Sequence, residues 1–538
     1  RRVLFRSPPV VDTISPGSWV TNEVAYAIQI DGANFRMPTV EATCLDPNGA
    51  TDVATVTVTN STPGTIQATV DTSTLDGLST CVVRVTNTDD GTYVDYAPIT
   101  ITNPSGNFVD FRAGNPLQVA RRGLAASNGA PTRTSRYIYA IGGDDGTLAA
   151  ANTLTSVEAA QLDRFGAPGA WFTLPLELPE GRSFAAATRI GDFVYLSGGH
   201  SGAEVATTIW RANVLDPLFV PDISNVDLDF DESEVGIPQG VYYYRVSAVM
   251  SPTNAANPGG ETLASDPQAV RAPGMGFNIT LSWDAVPDAV SYRIYRSAMA
   301  DQPYGNEELL AEVNAPTLTF TDGPMNMTTP GVTPLPVGSL GTWHSVGTMT
   351  SPRYKHGMTA VTDPANANQR VLVIAGGNDG AQTLNTIERV PITVNGPRDQ
   401  TVGAPVGDLQ TLGVAREDLV MLTANPENAN RLATEVIYFL GGTLANGMIT
   451  RQVEVAEILV GGLLGLIDTT DNMQRSRAGY AAAVANNNIV TAGGQNGGPS
   501  STADKGEICE SGTCPPPEID KWSSLSNVNM QDRYQMGY

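Results

Sequence analysis

Histidine is almost missing from this chain: three residues in 538, His200, His344 and His356. Metal chemistry built on converging imidazoles has little to draw on. Cations are also scarce. Lys and Arg number 31 against 55 Asp and Glu, for a net charge of −24. That excludes the positive footprint nucleic acid needs, and it excludes simple electrostatic attachment to an anionic membrane. Solubility is the plain reading of the acidity. No apolar run reaches the roughly 20 residues of a membrane-spanning helix. The nearest, ILVGGLLGLI at 458–467, is short and broken by glycine, and reads as buried strands around a turn. A G-x-S-x-G elbow, an H-E-x-x-H pair and a phosphate-binding loop are all absent.

Cysteine is limited to four residues in two local pairs. Cys44 and Cys81 lie in two strand-like segments, and Cys509 and Cys514 enclose the loop CESGTC. Pairing within each region suggests disulfides and an oxidising compartment. Free core thiols are the alternative for Cys44 and Cys81. Without further Cys or His nearby, Cys509 and Cys514 make a poor zinc site.

Glycine (54) and proline (37) are plentiful, as turn-dense all-β chains require. The glycines fall in a pattern. RYIYAIGG ends at Gly142-Gly143, and the same ending returns at Gly198-Gly199, Gly376-Gly377, Gly441-Gly442 and Gly493-Gly494. Each copy is a short run of alternating large apolar residues, a strand buried between layers. Its double glycine allows positive φ and a sharp turn. Neighbouring copies stand roughly 50–65 residues apart, a spacing of repeat architectures. The longer gap between Gly198 and Gly376 must hold one repeat and an insert. An Arg precedes each copy by one strand and one loop: Arg121 or Arg122, Arg182, Arg353, Arg416 and Arg475. A Trp closes three units, Trp171, Trp343 and Trp522; the third and fourth units lack it.

This repeat resembles the kelch motif, in which each copy is one four-stranded blade of a β-propeller. The resemblance implies blades at about 117–177, 178 onward, 348–411, 412–471 and 472–526. Near the end, Arg533-Tyr534 parallels Arg353-Tyr354, so a sixth blade would begin there and be cut short.

Two further regions flank or interrupt the repeats. Residues 8–104 resemble an IPT/TIG immunoglobulin-like domain, on Ile14-Ser15-Pro16-Gly17, the turn at Ile30–Phe35 and the segment Val83–Gly91. A bridge at 107–112, NFVDFR, reads as a strand leading into the propeller at 105–223. Residues 224–336 resemble a fibronectin type III domain, with Trp283 and Tyr292 as core aromatics and Tyr242–Tyr244 as the late YxY strand. The late strand precedes the Trp strand, so the insert reads as permuted. Its insertion between neighbouring strands suits a domain whose ends lie close together. The second blade, the later blades and the sixth start then occupy 337–538. The expected fold class is all-β: a kelch-type propeller of five blades plus the start of a sixth, with two immunoglobulin-like sandwiches. Residues 1–7, RRVLFRS, back-translate into the end of a common sequencing adapter. The chain therefore reads as a fragment of a bacterial, environmental reading frame, truncated at both ends.

Insertions gather in loops that share one propeller face: 127–135, 363–369 and 425–435 between first and second strands, and the domain insert, 391–408 and the CESGTCPPPE loop between third and fourth. Long loops on one face mark where function usually sits. Copper radical oxidases similar to galactose oxidase use kelch propellers, but that chemistry needs two His, two Tyr and a Cys linked to one Tyr. The three histidines here fall at different blade positions. The carboxylates of DLDFDESE (227–234) read as a solvated linker, and GGDDG (142–146) and GGNDG (376–380) as turns first and cation sites second. The expectation is a non-catalytic extracellular or cell-surface protein that recognises protein or carbohydrate, with no catalytic residue, cofactor or metal assigned. The alternatives are a fragment of an oxidase-like enzyme and a structural subunit of a surface layer or filament.

Overall fold

A computed structural model describes residues 7–20, 25–45, 51–72, 75, 79–102, 114–132, 135–163, 166–230, 236–273, 276–425, 435–485, 488–509 and 518–525. Every regular element among them is a β-strand. The bridge at 107–112, the loop carrying Cys514 and the proposed sixth start at Arg533-Tyr534 lie outside the described residues.

The N-terminal strands build one nearly closed, barrel-like sheet of eight strands. Alternation is strict in Pro38–Leu45, whose every second side chain is buried. Such period-two patterning fixes which face meets the core. That core centres on Trp19, Ile30, Ile66, Val83 and Ile101. Cys44 and Cys81 face each other across paired strands and are joined by a disulfide.

Five antiparallel blades of a propeller follow among the described residues, the first, second and fifth of four strands and the third and fourth of five. The first runs Ala125–Gly129, Arg136–Ile141, Val157–Leu162 and Pro168–Thr173. In the second, Ala186–Ile190, Phe193–Ser197 and Thr208–Asn213 are completed by His344–Thr348, which lies beyond an inserted unit. The third, fourth and fifth blades open on Gly357–Asp363, Val420–Ala424 and Ala481–Ala485. These inner strands lie side by side in chain order, from Ala125–Gly129 through to Ala481–Ala485. The second strand of each blade is covered on both faces. Phe193–Ser197 and Val436–Leu440 are buried at every residue, which is why these segments read as continuous apolar runs.

The inserted unit packs a three-stranded sheet (Ile223–Phe230, Phe277–Trp283, Thr319–Asp322) on a four-stranded one (Gln268–Ala272, Gly240–Met250, Ala289–Ser297, Glu307–Asn314). Trp283 and Tyr292 meet in its core with ring centroids 5.6 Å apart. Gly240–Met250 pairs with Ala289–Ser297, so the tyrosine strand comes early in the chain and sits centrally in its sheet. One expectation needs correcting here. Asp227–Phe230, though exposed to solvent, is the end of a paired strand rather than a linker, and Thr280 Oγ1 donates to Asp229 at 2.7 Å, while 231–234 of the same segment lie outside the described residues. The segment 458–467 also departs from expectation. Ile458 and Leu464 are buried, but Val460 and Leu466 are 66% and 75% exposed at a hairpin on the outer side of the fourth blade.

Candidate functional site

Both repeat signals, the double glycine and the arginine, meet at one end of the propeller. All ten glycines of the five pairs have positive φ, a conformation that costs a side-chain-bearing residue energy. At Gly377 the φ is +87°, and an added Cβ would stand 2.8 Å from the carbonyl oxygen of Tyr354. The second glycine of the first four pairs stitches its blade to the next. The N–H groups of Gly143, Gly199, Gly377 and Gly442 donate to the carbonyls of Arg182, Arg353, Arg416 and Arg477 at 2.7–2.9 Å.

The arginine side chain closes the turn within its own blade. Arg353 donates to the carbonyls of Gly376 and Thr386 and to Glu388. Arg121 makes the same contacts with Gly142, Ser156 and Glu158. Arg416 pairs with Glu454, and Arg477 with Gly493, Thr502 and Asp504. Two sequence assignments are thereby settled or corrected. Arg121, not Arg122, is the repeat arginine of the first blade. In the fifth it is Arg477, and Arg475 is a half-exposed residue reaching the same Asp504 from outside. The acidic partners Glu158, Glu388, Glu454 and Asp504 were missed by sequence reasoning. Nothing local marks them, because Val453–Leu459 carries a second acid at Glu457 and Ala503–Ile508 another at Glu507. The second blade has Trp210 in that place, and the Arg182 guanidinium lies 4.5 Å from its ring centroid instead.

Two residues beyond each arginine the chain turns left-handed. Gly123, Phe184, Lys355, Asp418 and Gly479 have φ between +54° and +57°. Their amides form an open chain from blade to blade: Phe184 N–H to Gly123, Lys355 to Phe184, Asp418 to Lys355 and Gly479 to Asp418, at 2.6–3.2 Å. Glycine would be the unstrained choice throughout, yet three blades place large or charged side chains here. Left-handed strain of this kind collects at functional sites.

Those side chains cluster around the axis. Phe184 meets Tyr354 edge-on at 6.4 Å, and His200 meets Tyr354 at 5.5 Å. Lys355 Nζ bonds Glu417 at 2.9 Å and Asp418 at 3.1 Å. Burial alone would lower its pKa, but these two carboxylates outweigh burial and hold it charged. Glu417 also accepts from Asn378 at 2.7 Å. Asp144 of the GGDDG turn accepts from Arg122 Nε at 2.7 Å, from Ser183 Oγ at 2.6 Å and from Gly146 N–H at 2.9 Å. Asp144 and Asn378 therefore act as turn and ion-pair residues. Among the described residues no group of three or more His, Cys, Asp or Glu is placed to hold a metal ion.

Three groups in this cluster keep free hydrogen-bonding capacity. The Arg122 guanidinium is 38% exposed and uses only Nε on Asp144. His200 accepts from Gly202 N–H at Nδ1; burial, then Arg182, lower its pKa. The neutral ring then carries its proton on Nε2. The Tyr354 hydroxyl is the third, its pKa raised by burial. The other histidines do not join them. His356 is fully buried with Nε2 2.7 Å from Ser197 Oγ, and His344 Nδ1 lies 3.1 Å from the Thr342 carbonyl.

The tryptophans are structural. Trp171 and Trp522 sit in outer strands and donate to the carbonyls of Asn115 and Asp471, while Trp343 is buried just ahead of its strand. Cys509 is buried. Of the loops expected to carry function, 364–365 is a tight turn at the opposite end of the third blade and 391–408 is mostly strand, in Thr386–Gly396, Asp399–Val402 and Val406–Thr411, while 133–134, 426–434 and 510–517 lie outside the described residues. No protein-family model matches the chain, and no curated protein matches it.

Proposed function

We propose that this chain is a kelch-type propeller protein with an IPT/TIG-like N-terminal unit and a permuted fibronectin-type insert, and that it works outside the cell or on its surface by binding rather than catalysis. The observation that carries the reading is the axial cluster. Phe184 and Lys355 occupy left-handed positions where their neighbours use glycine, so their side chains are kept against a backbone cost of about 1 kcal/mol each. The free groups beside them are donors: the Arg122 guanidinium, the His200 ring and the Tyr354 hydroxyl. A donor set around aromatic edges fits an oxygen-rich ligand, a glycan first of all, and Asp144, Glu417 and Asp418 already balance the charges of Arg122 and Lys355. The Cys44–Cys81 disulfide supports an oxidising compartment.

An array of neutral and acidic glycans, probed with the full chain, tests the reading. At least one glycan should bind, and Arg122→Ala and Tyr354→Phe should each weaken it by about tenfold or more. Retention of every glycan by both variants would rule the axial end out.

A further inference from the structure

A cavity of about 280 Å³ lies where the inserted sandwich meets the second and third blades, at the end opposite the axial cluster. Its walls come from three separate stretches of chain. The second blade supplies Asn213 and the linker residues Asp216 and Phe219; the insert supplies Met250, Asn254, Leu263 and Asp288; the third blade supplies Arg398. The seam around it is fixed. Arg211, 4% exposed, donates to the Ala255 carbonyl of the insert at 2.7 Å and to the Gln400 carbonyl of the third blade at 3.0 Å. Thr342 N–H donates to Asn257 Oδ1 at 2.8 Å. Arg398 bonds Asp216 at 3.1 Å and stands 3.6 Å over the Phe219 ring. A cavity walled by three held elements is preformed, so a ligand meets little ordering cost.

We propose that this cavity binds one pyranose-sized, uncharged sugar ring. Its volume sits at the lower limit of ligand pockets, about 300–1,000 Å³, which admits a single ring and not an extended chain. Apolar and polar groups share the wall, as the two kinds of face on a sugar ring require. Phe219, Met250 and Leu263 offer surface for C–H groups. The amide of Asn213 can both donate and accept, as hydroxyls do, while Asn254 holds the N–H groups of Ala256 and Asn257 on its oxygen and has one amide hydrogen beyond that given to Asp288. Asn213 is 5% exposed and its side-chain oxygen has no hydrogen-bond partner. Asp288 has one oxygen on Asn254 at 3.3 Å and its other oxygen spare for a hydroxyl. Two carboxylates against one guanidinium repel an anion. An ammonium ligand can only donate, and would face Arg398. The site is separate from the axial cluster, and its test does not depend on that reading.

Saturation-transfer NMR on the full chain, with glucose, galactose, mannose, N-acetylglucosamine and myo-inositol as probes and putrescine as the amine control, decides the matter. At least one sugar should bind with a Kd of about 1 mM. Pro287→Trp, at an exposed rim position, should block it by about tenfold or more. Asp288→Asn, which keeps a residue tolerant of the φ of +64° found there, should weaken it several-fold. Arg122→Ala should leave it unchanged. Thermal melts that match the parent exclude misfolding of the variants. No transfer to any sugar, binding that Pro287→Trp leaves intact, or a preference for putrescine would each overturn the proposal.

Discussion

Arg353 Nη2 and Glu388 Oε1 stand 2.9 Å apart with both side chains almost wholly buried, at 1% and 2% exposure. The guanidinium also holds the carbonyls of Gly376 and Thr386. Glu388 in turn accepts from the N–H groups of Thr350 and Ser351. One ion pair thus ties the turn, the third strand and the incoming loop of the blade. The pair matters less for its own attraction than for the backbone groups it satisfies.

Removing one partner should be costly. Arg353→Met leaves a buried carboxylate unpaired, so it should destabilise the propeller by about 3–5 kcal/mol. Arg182 has no buried acid: its carboxylate partner, Glu180 at 2.6 Å, is 53% exposed, and the guanidinium rests on Trp210, a contact worth about 2 kcal/mol. Arg182→Met should therefore cost clearly less. Chemical denaturation of both variants checks the ranking, and equal losses would show that the carboxylate is not what makes the arginine indispensable.

Acid should weaken the seam between the second and third blades. Burial, then Arg353, hold the His356 pKa down to about 3, against about 6.5 in an unfolded chain. Unfolding therefore takes up a proton between those values. Stability is full above about pH 6.5 and falls as pH drops toward 3. His356→Gln should flatten this part of the profile, read as melting temperature against pH. An unchanged slope would place the acid sensitivity on other groups.

Reduction should act on the N-terminal sheet. The Cys44–Cys81 bridge closes a separation of 37 residues, a constraint on the unfolded chain of about 4 kcal/mol. A reductant, or the pair Cys44→Ala and Cys81→Ala, should speed hydrogen exchange in Pro38–Leu45 and Thr80–Asn87. Exchange in the blade strands should stay as it was.

The sequence shows the blades because their turn chemistry is local and repeated. A double glycine after an apolar run is visible wherever it occurs, and all five do turn with positive φ. The axial cluster is less legible. Glycine marks a left-handed position at Gly123 and Gly479, but Phe184, Lys355 and Asp418 adopt the same φ without any such mark. QRSRAGY offers two arginines, and only register decides that Arg477 rather than Arg475 lies under Gly493. A Glu in a strand, such as Glu454 with Glu457 three residues on, carries no sign of the partner it meets across a turn. The cavity joins Asn213, Asp288 and Arg398, which no spacing along the chain connects.

The second blade borrows its outer strand from beyond the inserted sandwich, with Thr208 opposite Thr348. On the ribosome, Thr208–Asn213 emerges long before that partner and keeps one bare edge, a template for wrong pairing. The insert shortens the danger. Once folded, it brings Leu215 N–H to the Ser339 carbonyl at 3.0 Å, which closes the long loop in advance and leaves little closure entropy for the returning strand. The sandwich would then serve as a chaperone in cis for the blade it interrupts.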